Sequence, residues 1–225
     1  MNSNYQYTML ICSLPAFAPL LKAQQTPLSR IQLNQRLKIL APQDCDDIEY
    51  LGALLDWFHQ PLKRTDSEFL SIVKISLPKI ANPFIREQIE WRLSLRTLVA
   101  ALRYKQLKQS PPVGEQWGFS RWLPIVEKHW HEPTFGLEKM LPWLGQVNRL
   151  LTQDKAAELE KFILELVWKQ IDQAALGHEF DLEAVAIYRM RWDLVARWTC
   201  YAKQPALERF NSLVSRAMTD FDQIM

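Results

Sequence analysis

The sequence has little glycine and no glycine-rich loop. Only 6 of its 225 residues are glycine, and neither the phosphate loop GxxxxGK[ST] nor the dinucleotide fingerprint GxGxxG occurs. Nucleotide binding through either loop is therefore excluded. No serine lies in a GxSxG setting, HExxH is absent, and the four histidines follow no triad order. We therefore expect a protein that is not an enzyme and that has no catalytic residue, cofactor or metal.

Cysteine is also scarce. The three cysteines, Cys12, Cys45 and Cys200, are far apart, odd in number and without CxxC spacing. This pattern suits a reducing compartment better than a disulfide framework. We expect all three to be buried as small apolar residues.

The sequence lacks both a long apolar run and a strong excess of charge. The run from Met9 to Leu21 is interrupted by Pro15 and Pro19, is too short to span a bilayer, and does not resemble a signal peptide. The net charge is +2, and no basic tract of the kind that binds phosphate backbones occurs. We expect a soluble, cytoplasmic protein that does not bind nucleic acid and reaches a membrane only through partners.

Amphipathic helical patterns are abundant. Residues 82–108 form the longest, with two apolar stripes that predict a central helix packed by other helices on both sides. Asn82 suits the N-cap, and Pro83 suits the first helical position. About eight helices with mostly short connections predict an all-α fold, an irregular array around this central helix. The stretch from Tyr5 to Ser13, rich in aromatic and β-favouring residues, predicts one short N-terminal strand or extended segment.

One segment marks a candidate domain boundary. The nine residues from Ser110 to Gly118 contain two adjacent prolines and two glycines. They divide the chain into an N-terminal helical half, 1–110, which includes the central helix, and a C-terminal helical half, 111–225, unless the two form one continuous domain. A last helix is predicted to begin at Pro205.

An acidic cluster offers one alternative function. Carboxylates on successive helical turns can hold hard cations, so Asp44, Asp46 and Asp47 are compatible with a small all-helical, Mg²⁺-dependent enzyme or ligand binder. No second acidic motif accompanies them, and acidic residues near a helix N-terminus also oppose the helix dipole. His129 and His131 could share one side of an extended segment, but no further cysteine or histidine nearby completes a ligand set.

Arginines alternate with apolar and aromatic side chains in two predicted helices, the central helix and residues 181–198. Because an unpaired buried charge is costly, one interpretation is internal ion pairs, for instance with Glu87, Glu90, Asp193 or an acid in a facing helix. The other is that part of an arginine row docks an acidic partner surface, since arginine and tryptophan often dominate binding energy. The candidate partner-binding residues are Arg92, Arg96, Arg103, Lys105, Arg189, Arg197 and Trp198.

Three stretches resemble a bacterial family of uncharacterised proteins encoded alongside V/A-type ATPase subunits: Tyr7 followed by SLP at 13–15, NPF at 82–84, and LRTLVAA at 95–101. Members of that family in turn resemble the C-type subunit of these ATPases, which is the d-type subunit in eukaryotes. Residues 102–105, LRYK, are similar to the end of a helical pattern in the C-type protein. Ser94 and Thr97 depart from that pattern, because Asp and Asn would be expected there.

The resemblance implies a non-catalytic helical subunit or assembly factor of a V/A-type, proton- or sodium-translocating ATPase. The C-type protein caps the membrane ring and seats the central rotor stalk, so torque passes through it without chemistry of its own. The implied partners are other ATPase subunits, those of the central stalk and the membrane ring. The implied location is the cytoplasmic face of the membrane.

Overall fold

The computed structural model describes residues 3–56, 64–111 and 117–200. Within these ranges the chain forms helices joined by loops, without a strand, so the predicted all-α fold is confirmed. Short 3₁₀ helices occupy Leu20–Lys22 and Leu77–Lys79. The α-helices are α1 (Ser3–Ser13), α2 (Arg30–Leu37), α3 (Pro42–Leu55), α4 (Asp66–Ser76), α5 (Pro83–Gln106), α6 (Leu123–Lys128), α7 (Trp143–Thr152), α8 (Ala156–Ala174) and α9, which covers 182–200.

The predicted N-terminal strand is wrong, because residues Tyr5 to Ser13 lie in helix α1. A lone strand would leave its backbone N–H and C=O groups without partners, whereas a helix satisfies them internally. Side-chain contacts fix the helix in place: Leu10 is buried, and the Tyr7 hydroxyl donates to Asp44 of α3 at 2.6 Å.

The prediction that all three cysteines are buried is also wrong. Cys12 and Cys200 are exposed, and Cys45 is only partly buried. Cys12 lies outside the single face that α1 turns to the core, which explains its exposure. Burial, reinforced by the charge of the neighbouring Glu49, raises the pKa of the Cys45 thiol, so this side chain stays a weak nucleophile.

Helix α5 is packed on two sides, by α3 and by α7, as its two apolar stripes predict. Asn82 is its N-cap, with the side-chain oxygen accepting from the Ile85 N–H at 3.0 Å, and Pro83 is the first helical residue. Ile89 and Leu98 are fully buried. Leu107 lies within the predicted helix 82–108, but it is 68% exposed because the helix ends one residue before it.

One connected hydrophobic cluster joins α1, α3, α4, α5, α7, α8 and α9. Both sides of the predicted boundary between 110 and 118 therefore contribute to the same core, and the division at residue 110 stays a prediction. The predicted helix from Pro205 lies outside the described residues.

A buried carboxylate connects α3 to the start of α5. Asp47 is 2% exposed, and its two oxygens accept from the backbone N–H groups of Ala81 and Asn82 at 2.9 and 2.8 Å. Of the other two acids in the cluster, Asp44 accepts from Tyr7, and Asp46 is exposed. Two of the three carboxylates that suggested a magnesium site therefore hold helices together.

We expect Asp47→Ala to lower the free energy of unfolding by about 3 kcal/mol, because two N–H groups in a partly buried site lose a charged acceptor. For a chain of this size the melting temperature should fall by roughly 6–12 °C. The matched control is Asp46→Ala on the same helix, which should change stability by less than about 0.5 kcal/mol. Equal effects of the two substitutions on the free energy of unfolding in urea would contradict the role of Asp47 in holding the start of α5.

The same proteins test the magnesium alternative. If Asp44, Asp46 and Asp47 hold Mg²⁺, then Mg²⁺ with diphosphate should raise the melting temperature of the wild type. It should not raise that of Asp46→Ala. An unchanged wild-type melting temperature would remove this alternative.

Candidate functional site

A groove of about 380 Å³ runs between α5 and α8. Both helices belong to the core that includes α7, which packs against each of them. The buried side chains of Leu95, Val99 and Val167 give the groove an apolar lining. Four arginines line it as well, and we call it the arginine groove: Arg92, Arg96, Arg103 and Arg197.

The arginines share the groove because of helical spacing. Residues four and eleven positions apart fall within about 40° of each other on a helix of 3.6 residues per turn. Arg92, Arg96 and Arg103 therefore form one row along α5, and α9 supplies Arg197. The structure thus brings together four of the seven candidate partner-binding residues.

Two of the four arginines are neutralised by carboxylates from neighbouring helices. Arg96 pairs with Asp66 of α4 at 3.0 Å and lies over the Phe69 ring. Arg197 pairs with Glu160 of α8 at 2.7 Å through both Nε and Nη2. Burial lowers the pKa of Arg96, although the hydrogen bond to Asp66 acts to raise it. These two residues follow the ion-pair interpretation.

The other two arginines lack such a partner. Within residues 3–56, 64–111 and 117–200, no carboxylate forms an ion pair or hydrogen bond with Arg92 or Arg103. Arg103 is exposed near the end of α5. Burial is the main cause that lowers the pKa of Arg92 to about 10, and the charge of Arg197 lowers it further, whereas the charge of Asp193 acts to raise it. Arg92 therefore stays protonated at neutral pH. Four guanidiniums and two carboxylates line the groove, which leaves two net positive charges.

The remaining three candidates lie elsewhere. Lys105 donates to the Glu132 carbonyl oxygen and lies 5.3 Å from the centre of the Phe135 ring. Arg189 is buried, pairs with Asp193 at 3.2 Å and packs against Gly52 of α3. Trp198 packs against the core.

Sequence reasoning allowed for acids in facing helices but did not identify the two that pair with the groove arginines. Asp66 is 30 residues from Arg96, and Glu160 is 37 residues from Arg197. No local spacing signals such pairs. The expected acids Glu87 and Glu90 instead line a different cavity, together with Trp91, Trp122 and Trp143.

The two positions that depart from the C-type helical pattern, Ser94 and Thr97, hold a loop against α5. The Ser94 and Ser120 hydroxyls are 2.6 Å apart. The Thr97 hydroxyl donates to the Leu93 carbonyl at 2.9 Å and accepts from the Phe119 N–H at 3.0 Å. The loop approaches so closely that a Cβ on Gly118 would lie 2.3 Å from Thr97 Cγ2.

Two of the histidines, His129 and His178, have local carboxylate partners. His129 contacts Glu132 at 2.8 Å. His178, Asp181 and Glu183 have ligand atoms within 4.8 Å of one another, but each also makes a structural contact. Asp181 accepts from the Ala184 N–H at the start of α9 and from His178, and Glu183 accepts from the side chain of Asn82. This cluster is sufficiently explained by helix capping.

Asp193 should make stability depend on pH. Burial raises its pKa to about 6, although the charge of Arg189 opposes this. An unfolded aspartate titrates near 3.9, so the stabilising effect of the protonated form is full below about pH 4 and is lost as pH rises through about 6. Relative to Asp193→Asn, the wild type should lose up to about 3 kcal/mol of unfolding free energy from about pH 4 to about pH 7. Urea unfolding across this range measures the difference, and parallel curves for the two proteins would contradict the assignment.

Comparison with known families gives one match. Residues 76–220 match a family described as "Protein of unknown function (DUF2764)". Searches of curated proteins and of solved structures gave no match. The matched region includes α5, α7, α8, α9 and all four arginines of the groove. Because the match covers well over half of the chain, the protein belongs to the DUF2764 family.

Proposed function

We propose that this protein is a non-catalytic helical subunit or assembly factor of a V/A-type, proton- or sodium-translocating ATPase. The sequence resemblance at residues 82–84, 95–101 and 102–105 suggests the complex. The arginine groove, with charge left unneutralised at an accessible surface, is the observation that carries the binding role. Partners on the central stalk and the membrane ring would hold the protein at the cytoplasmic face of the membrane. Among the described helices, none is both long and apolar enough to cross a bilayer.

The groove suits an acidic segment of a partner protein in the complex. Its two excess positive charges call for carboxylates, and guanidinium groups bind carboxylates through paired hydrogen bonds. Its apolar lining, which includes Leu95, Val99 and Ile163, would cover apolar side chains of the same segment. Arg103 is the residue most accessible to a partner, because it is exposed and no described acid pairs with it.

Helix α5 is suited to transmitting a mechanical load. Its 24 residues span about 36 Å at 1.5 Å per residue. It is packed by α3 and α7, and its N-terminus is capped by Asn82 and held by Asp47. A load applied at the Arg103 end would therefore pass along a helix supported over its length.

Arg103→Glu should disrupt the complex. The substitution reverses the charge where the acidic segment would bind, so we expect at least a tenfold loss of affinity, which corresponds to about 1.4 kcal/mol. The measurement is copurification of ATPase subunits with the tagged, full-length chain from native membranes, quantified by mass spectrometry. Lys139→Glu, an exposed site outside the groove, is the matched control and should copurify as the wild type does.

Two outcomes would count against this proposal at different levels. A wild-type chain that brings down no V/A-type ATPase protein would overturn the assignment to the complex. If the wild type and the Arg103→Glu variant copurify ATPase subunits equally well, the protein still belongs to the complex, but the groove is not its docking site. The melting temperature of each variant, expected to match the wild type, excludes unfolding as the cause.

A further inference from the structure

Arg92 also lines a second cavity. It measures about 350 Å³ and is lined by residues near the start of α2, at the end of α3 and along α9. Arg92 and Arg197 line both this cavity and the arginine groove. We call it the Arg92 cavity. Its apolar lining is provided by Leu55, Met190, Leu194 and Ala196.

Most charged groups that line the Arg92 cavity are paired. Arg30 contacts Asp56 at 2.9 Å. Asp193 contacts Arg189 at 3.2 Å, and Arg197 contacts Glu160 at 2.7 Å. In the part of the chain that the structure describes, Arg92 is the exception, with neither a hydrogen bond nor an ion pair.

A half-buried guanidinium without an acceptor among the described residues is an unusual feature. It carries five N–H donors, and an uncompensated buried charge is destabilising. Burial and the neighbouring Arg197 lower the pKa of Arg92 to about 10, and the side chain nevertheless remains charged at neutral pH. The part of Arg92 that stays accessible lines the two cavities. Water or an anion that accepts from this group would therefore occupy one of these cavities.

The charge balance and lining of the cavity indicate which anion fits. Three arginines and two aspartates line it, which leaves one positive charge. A dianionic phosphate would exceed this charge and would be repelled by Asp56 and Asp193. A carboxylate carries the single charge required and matches the two parallel donors of a guanidinium. The apolar lining would then pack against a hydrocarbon group, and the volume lies at the small end of the range for ligand pockets.

We propose that the Arg92 cavity binds a small organic monocarboxylate, with Arg92 pairing with the carboxylate and the apolar lining enclosing the hydrocarbon part. This site shares Arg92 and Arg197 with the arginine groove, and an acid bound to Arg92 would leave the charge of Arg103 for a partner protein. The site requires no other protein. Its function is therefore independent of whether the chain joins an ATPase.

The test is calorimetric titration of the purified full-length protein with hexanoate and with phenylacetate. Saturable binding in the millimolar range or tighter is expected for at least one of them. The neutral amide of the same acid should bind at least tenfold more weakly, because the charged pair with Arg92 is lost. Inorganic phosphate should not compete. Equal binding of acid and amide, effective competition by phosphate, or no binding of either acid would overturn the proposal.

Variants locate the binding site. Arg92→Met should weaken carboxylate binding at least tenfold and raise the melting temperature of the ligand-free protein, because an unpaired charge is replaced by an apolar chain of similar length. Lys139→Met, at an exposed site outside both cavities, is the matched control and should bind the acid as the wild type does. If Arg92→Met binds the acid as tightly as the wild type, the proposal is wrong.

A second variant leaves Arg92 in place. Ala196 lines the cavity, and Ala196→Phe would fill it. Loss of carboxylate binding in a folded Ala196→Phe protein is expected, whereas unchanged affinity would show that the acid binds elsewhere and would overturn the proposal. Because these titrations involve one purified chain, their failure is distinct from a failure to copurify with ATPase subunits.

Discussion

The buried carboxylate of Asp47 sets where α5 begins, and the positions of the other functional groups depend on α5. Its two oxygens bind the N–H groups of Ala81 and Asn82. Asn82 then caps α5 through its side-chain oxygen and donates its side-chain amide to Glu183 of α9. Three helices, α3, α5 and α9, are therefore joined by polar contacts at one end of α5. These contacts fix the register of the α5 arginine row against α9, which carries Arg197 and Asp193, because any slide of α5 would break charged hydrogen bonds in a partly buried site.

The four arginines of the groove differ in their charge partners, and neighbouring helices determine which of them are paired. Arg96 is neutralised by Asp66 of α4, and Arg197 by Glu160 of α8. Arg103 lies in water at the end of the helix, where a free charge costs little and a macromolecular surface can reach it. Arg92 lies between two cavities beside Arg197 and Asp193, where desolvation dominates and a small anion could compensate the charge. The presence of a facing carboxylate, and not residue type, thus separates Arg96 and Arg197 from Arg92 and Arg103.

Local patterns in the sequence predicted local structure well and long-range pairing poorly. The central helix, its Asn82 cap and its packing on two sides follow from apolar periodicity and cap chemistry, which act within one or two turns. The pair between Arg189 and Asp193 also follows from an i, i+4 spacing. The acids opposite Arg96 and Arg197 come from other helices, so they depend on tertiary packing that periodicity does not encode. The prediction of an N-terminal strand was wrong for a related reason. Residues that favour β-structure form a strand only where a partner strand exists, and the described part of the chain offers none.

The departures from the C-type helical pattern bear on which face of α5 is free. Ser94 and Thr97 lie more than about 90° around the helix from the arginine row, at about 100° per residue. Their hydroxyls hold the loop at residues 118–120, and Gly118 approaches Thr97 too closely to accommodate even a Cβ. The larger Asp and Asn side chains of the pattern would require this loop to move away from α5. The loop therefore covers α5 around Ser94 and Thr97, whereas the arginine row on the other side of the helix lines the open arginine groove.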